Sequence, residues 1–195
     1  MATVAIVYFS GNDHTHLMAE SLSEGVKAAG VTAQLLRIQG EQIKDGRWQD
    51  EGIRAAILAA DAIVFGSPTY MGGVAAQLKA CIDGLGDVWF EQGLKDKVAG
   101  GFTHSSSPSG DKQGTLLYLV TNALQHGMVW VGAADLPSPY IGKDDGVNRL
   151  GSFLGVMGYS PLDMSGGEPQ MDKGDRLTAH QYGQRVAAIT QKLKS

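Results

Sequence analysis

Residues 3–15, TVAIVYFSGNDHT, decide how the rest of the chain is read. Thr3–Phe9 is an uncharged run of β-branched and aromatic residues, the pattern of a buried strand. Ser10-Gly11-Asn12-Asp13-His14-Thr15 interrupts it with hydroxyl and amide groups. Thr15–Ala29 then places Leu17, Met18, Leu22 and Val26 at helical spacing, with Gly30 as a stop. A buried strand therefore runs through a polar loop into a helix, and that loop ends on the helix's amino terminus.

The same rhythm continues outward. Thr32–Ile38, Ala62–Gly66, Val98–Thr103 and Met128–Ala133 read as further strands. Ile53, Ile57 and Ala60 suggest a helix, and Val74–Leu85, Thr115–His126 and Arg176–Lys194 three more. Asp135–Gly174 is long, rich in Gly, Pro, Ser and Asp, and carries no expected element. Five strands alternating with five helices predict an α/β fold: a parallel sheet covered on both faces, with right-handed crossovers. Ligands of such sheets bind outside the carboxyl ends of the strands, where strand order reverses. The loops after strands one, three, four and five are the ones to inspect.

Composition narrows the function. The 195 residues fit one domain, 1–195, with 43% hydrophobic and 18% charged residues. A net charge of −4, from 20 acidic and 16 basic residues, gives no reason to expect nucleic acid, which usually calls for a basic face. The single cysteine, Cys81, excludes an intrachain disulfide, and no cysteine cluster suggests a metal. The apolar start has neither a basic region before it nor a small-residue cleavage site after it, so it reads as a strand and not a signal peptide. No apolar stretch reaches membrane-spanning length, so no membrane insertion is expected and a cytoplasmic location is the default.

Three loops carry the chemistry. Ser10–Thr15 offers backbone N–H groups at a helix start plus hydroxyl donors, and a phosphate is the natural guest. Neither G-x-x-x-x-G-K-[ST] nor G-x-G-x-x-G is present, which disfavours a P-loop nucleotidase or a dinucleotide here. Gly66–Gly73 (GSPTYMGG) has Pro68 to stiffen the turn, paired glycines for close approach, and Tyr70 and Met71 to lie against a ring system. Thr103–Asp111 (THSSSPSGD) is hydroxyl-rich and suited to the polar edge of a heterocycle. Taken singly, each loop also reads as a helix cap or a solvated turn; together they form one constellation at one sheet edge.

That constellation resembles the flavodoxin superfamily, and more closely the WrbA-type NAD(P)H:quinone reductases. The resemblance covers nearly the whole chain and lies in YFSGNDHTHLMAE, FGSPTYMGGVAAQLKACID, VWFEQGLKDKVAGGFTHSS, LQHGMVWVG and RLTAHQYGQRVA. It implies a flavodoxin-like doubly wound five-stranded parallel sheet of order 2-1-3-4-5. It also implies FMN as cofactor, NADPH or NADH as electron donor, a small-molecule quinone as acceptor and a homodimer or homotetramer. Carried over, Ser10, Gly11, Asn12, Asp13, His14 and Thr15 hold the phosphate. Pro68, Thr69, Tyr70, Met71 and Gly72 hold the ring, aided by Thr103, His104, Ser105, Ser106 and Ser107. Trp89 stands at the substrate site and His126 faces the flavin as the catalytic residue, a donor to a quinone oxygen as charge builds there. Tyr70, Trp89 and His126 form the quinone slot, and turnover is a ping-pong, two-electron exchange.

The chain departs from the family at Asp13, where glycine is usual, and at Asn12, which replaces an aromatic or similar residue. Asp tolerates positive φ, so the turn survives. The loop has no Lys or Arg, so phosphate binding falls to neutral donors. His126 also fits a helix C-terminus favoured by the macrodipole. Trp89 fits a pocket wall, a subunit interface, or both if a neighbouring chain completes the pocket. His14 and His16 read as exposed helix-start residues, and Cys81 as a buried inert thiol. One rival is a flavodoxin-type one-electron carrier, and another a binding module that has lost flavin.

Overall fold

The computed structural model describes residues 1–162 and 165–194. Four full-length strands are β1 (Thr3–Tyr8), β2 (Thr32–Arg37), β3 (Ala62–Tyr70) and β4 (Val98–Ser105). The fifth lane of the sheet is made in two pieces, β5 (Val129–Trp130) and β6 (Val156–Tyr159). β1 pairs with β2 and β3, and β4 pairs with β3, β5 and β6, all parallel. The order by lane is therefore 2-1-3-4-5, a flavodoxin-like arrangement.

The helices are α1 (His14–Ala28), α2 (Glu51–Ala59), α3 (Ala76–Asp83), α4 (Gly86–Phe90), α5 (Lys112–Gln125) and α6 (Lys173–Lys194). Along β1 the side chains alternate between two cores, as the pleat requires. Val4, Ile6 and Tyr8 join Met18, Leu22 and Val26 of α1 and Tyr182 and Val186 of α6. Ala5 and Val7 turn the other way, toward Ile57, Leu78, Leu116 and Leu119. Each such fully buried aliphatic side chain contributes about 1.5–3 kcal/mol.

The expected strand Met128–Ala133 is largely replaced. β5 pairs only with Val98–Ala99, Val131 N still reaches Ala99 O at 2.8 Å, and then the chain leaves the sheet. It returns as β6, which pairs Val156–Tyr159 with Phe102–Ser105. The buried Tyr182 Oη fills the gap, accepting from Gly101 N at 3.1 Å and donating to Val131 O at 2.5 Å. A Cβ on Gly132 would overlap Phe153 O, and one on Gly155 would overlap Gly101 O, so both ends of the excursion pass through glycine. Pro137 and Pro139 follow, and proline has no N–H for the ladder.

β3 also runs further than Ala62–Gly66. It continues through Pro68, paired with His104, to Tyr70, and Gly73–Val74 folds back on it antiparallel. The turn proper is Met71–Gly72, both at positive φ (47° and 80°).

Candidate functional site

β1, β3 and β4 each end in a loop at the carboxyl edge of the sheet, and the three loops enclose one groove of about 470 Å³. Its walls are Ser10, Gly11, Asn12, His14 and Thr15 from the first, Pro68–Gly72 from the second, and His104–Ser107 with Gly110 and Asp111 from the third. Thr103 does not line it. That side chain is fully buried, and its Oγ1 lies 2.8 Å from Thr69 Oγ1, which also meets Thr115 Oγ1 at 2.8 Å. The three hydroxyls tie β3, β4 and α5 together beneath the groove.

The first loop makes a helix start in which His14 N already donates to Asn12 O at 2.8 Å. Asp13 is the N-cap of α1 but lies in the left-handed region (φ 57°) and makes no side-chain hydrogen bond to the helix. Ser10 Oγ accepts instead from His16 N at 3.2 Å. Glycine at position 11 leaves room for Tyr70 Oη, which a Cβ there would push aside. The expectation for Asp13 holds in its backbone, and its charge is met from outside the loop. Arg37, at the end of β2, places Nη2 2.7 Å from Asp13 Oδ1 and donates to Ser10 O at 2.9 Å. The Asp13 contact is ionic but poorly angled, leaving Asp13 Oδ1 and Arg37 Nε buried without hydrogen-bond partners among the described residues. Arg37 is thus a site-shaping residue that the loop's own sequence did not suggest; its signal was a lone cation ending a strand beside the phosphate loop's strand.

Two further groups shape the second and third loops. Ser67 Oγ accepts from Ala75 N at 2.9 Å and donates to Pro68 O at 2.7 Å, setting the path around the Met71–Gly72 turn. His104 is buried, stacks on His14 with centroids 4.7 Å apart, and its Nε2 lies 3.1 Å from Ser160 Oγ. Burial, reinforced by His14 and by the Lys112 charge, pushes His104 down to about 3. A histidine depressed this way contributes stability that is present above its unfolded value of 6.5 and lost as pH falls toward 3. Thermal melts from pH 7 to 4 should therefore fall more steeply in the wild type than in His104→Asn. Parallel slopes would remove His104 from the acid response.

Trp89 and His126 lie elsewhere. They share a separate depression of about 420 Å³ with Phe90, Gln92 and Lys95. His126 follows α5 and precedes Val129, which pairs with Val98 at the start of β4, whereas the groove lies beyond Ser105 at its end. The strand between them spans roughly 23 Å at the usual rise per residue. One chain therefore does not bring Tyr70, Trp89 and His126 into a single slot. His126 is also 6% exposed, its Nδ1 has no hydrogen-bond partner among the described residues, and burial lowers its pKa. Trp89 and Phe90 are 50% and 81% exposed beside it. Cys81 is buried in the core, where desolvation holds the thiol up at about 12, as an inert thiol requires.

Comparison with known proteins gives a consistent picture. Residues 4–145 match the model of the family described as NADPH-dependent FMN reductase. The chain is 37% identical over 196 residues to flavodoxin FldP of Pseudomonas aeruginosa, covering 99% of both. It is 32% identical over 204 residues to an NAD(P)H dehydrogenase (quinone) of Azorhizobium caulinodans, again covering 99% of both. The crystal structure of a flavodoxin, WrbA-like protein from Agrobacterium tumefaciens superposes with a TM-score of 0.74 at 38% identity, over 98% of this chain and 99% of that one.

Proposed function

The chain belongs to the NADPH-dependent FMN reductase family, and from that premise we propose that residues 1–195 act as an FMN-dependent NAD(P)H:quinone oxidoreductase. The observation that carries this reading is the convergence of three loops on one groove. Its chemistry suits FMN: a helix start with hydroxyls for a phosphate, and a floor at Gly11 beside Tyr70 Oη. Ser10, Gly11, Asn12, His14 and Thr15 hold the phosphate through neutral donors. Asp13 stands behind them with its charge engaged by Arg37. Pro68–Gly72 and His104–Ser107 hold the ring, with Thr103 supporting Thr69 from below.

FMN, when bound, supplies the two-electron chemistry between a nicotinamide and a quinone; the protein supplies position, hydrogen bonds and water exclusion. Tyr70, 45% exposed, and Met71, fully exposed, form the lip against which a flat acceptor or a nicotinamide lies. Trp89 and His126 reach that lip only from a second copy, so the proposal includes a homodimer or homotetramer. A neutral His126 is then a hydrogen-bond donor to the acceptor oxygen. The cytoplasm, with its NADH, NADPH and FMN, is the proposed location. No helix among the described residues is long and apolar enough to cross a membrane.

The similarity to flavodoxin FldP favours a second reading, a carrier without direct NAD(P)H activity. One titration separates the two. Anaerobic FMN-loaded protein should bleach on addition of NADPH or NADH, and benzoquinone should restore its colour. Bound flavin that neither nucleotide bleaches would support the carrier.

A further inference from the structure

Lys112 opens α5 directly behind the third loop, and among the described residues it is the only lysine that is buried, at 0% exposure. Its Nζ donates to Ser105 Oγ at 2.8 Å, Ser107 O at 2.7 Å and Pro108 O at 3.0 Å. These contacts employ all three ammonium protons, and all three acceptors are neutral. No carboxylate lies within ion-pair distance of it among the described residues. The charged groups that act on it from neighbouring elements are Asp175, which attracts, and Arg149, which opposes. His104, on β4, feels it in turn and is kept neutral.

A loop clamp does not require a charge. A neutral amide can donate two hydrogen bonds with a much smaller desolvation penalty than a buried ammonium. The charge itself therefore needs a reason, and its position supplies one. Ser105 and Ser107, two of its acceptors, are also walls of the groove. The ammonium stands one residue behind the surface on which the ring edge would rest.

We propose that Lys112 is a positioning residue that shapes Ser105–Pro108 and sets a fixed positive potential behind the groove wall, so that the groove holds a flavin ring more tightly once it carries negative charge. The inference rests on the reductase reading, in which the groove takes FMN. The balance is simple: two electrons and one proton added to the neutral ring leave one negative charge on it. No bond to Lys112 forms, and its proton stays on Nζ. Charge placed near a flavin ring is one of the few means a protein has to tune its electronics. Desolvation supports the picture, since it brings the lysine down to about 8 before any anion is present.

The test compares wild type with Lys112→Gln, which keeps two N–H donors on a slightly shorter side chain and loses the charge, by FMN fluorescence titration and by spectroelectrochemistry at pH 7. The variant should bind oxidised FMN within about threefold of wild type. Its affinity for the reduced cofactor should fall by about tenfold, a lowering of the midpoint potential by roughly 30 mV for a two-electron couple. Oxidised and reduced affinities that fall together, with the potential unmoved, would show a clamp alone and overturn the proposal. Should the variant fail to fold, lysine-labelled wild-type protein decides by NMR. The titration of the buried lysine should move upward when bound FMN is reduced, and an unmoved titration overturns the proposal. Wild-type protein that does not quench free FMN fluorescence would overturn the reductase reading and, with it, this role; that result is recognised before any potential is measured.

Discussion

Asp175→Ala is expected to destabilise the protein by about 3 kcal/mol, since removing one partner of a buried pair strands the other. Asp175 is 2% exposed and receives Arg149 in a two-pronged grip, Nε to Oδ1 and Nη2 to Oδ2, both at 2.7 Å. Its Oδ2 also accepts from Tyr159 N at 2.9 Å, and Arg149 Nη2 donates to Tyr159 O at 3.0 Å. The network pins β6 to the start of α6 and so holds the returning half of the fifth sheet lane. Burial raises the Asp175 carboxyl above the usual carboxylate range although Arg149 pulls it back, so desolvation outweighs the attraction. Losing the carboxylate leaves Arg149 only the longer, half-exposed contact with Asp172 Oδ1 at 3.5 Å, and leaves Tyr159 N unsatisfied. Arg149 keeps some water access, which is why the lower end of the range applies. For a chain of this size the loss corresponds to roughly 6–12 °C in Tm. The double variant Arg149→Met, Asp175→Leu should lose less than the single one, because neither charge is then stranded. A single variant that melts within 2 °C of wild type would show that the pair carries little.

Gly25→Ala sets two effects against each other. Gly25 lies inside α1, where alanine gains about 1 kcal/mol in helix propensity. A Cβ there, however, would run into the backbone carbonyl oxygen of His180 in α6, and the facing Gly183 would meet Leu22 O in the same way. Backbone atoms cannot rotate aside as a flexible side chain can, so the helices must part along a contact that buries Leu22, Val26, Tyr182 and Val186. Overpacking of this kind costs about 1–3 kcal/mol and sometimes more. Steric overlap should win, with a net loss of at least 1 kcal/mol and a lower Tm by chemical or thermal unfolding. A more stable variant would mean that the two helices are free to separate.

Much of the fold was legible because local pattern and global fold agree. TVAIVYF is apolar on both faces of its strand, and a strand so placed belongs inside a two-sided sheet. The three loops were legible for the same reason: each interrupts an apolar run with residues that cap, turn or donate. Their convergence follows from parallel strands ending at one edge. Thr103 was misplaced by one layer: it lies further back along β4 than His104 and Ser105, which line the groove, and its hydroxyl is buried against Thr69. The four-residue β6 was invisible, being too short for a periodic signal within a stretch rich in glycine and proline.

From its own residues, then, the sequence determined the α/β alternation, the parallel sheet, and the edge where the site lies. Only the tertiary structure decided what depends on distant backbone or charge. Gly25 and Gly183 look like weak helix residues until α1 and α6 cross. Arg37 is an ordinary strand end until β2 lies beside the phosphate loop and its charge meets Asp13. Lys112 reads as a surface lysine until the loop ahead of it folds its own oxygens over the ammonium. His126 and Trp89, read as partners of Tyr70, are carried to the opposite edge by the length of β4. Periodicity reports which face of its own element a residue occupies; which distant atom it meets is set by packing, which local sequence does not encode.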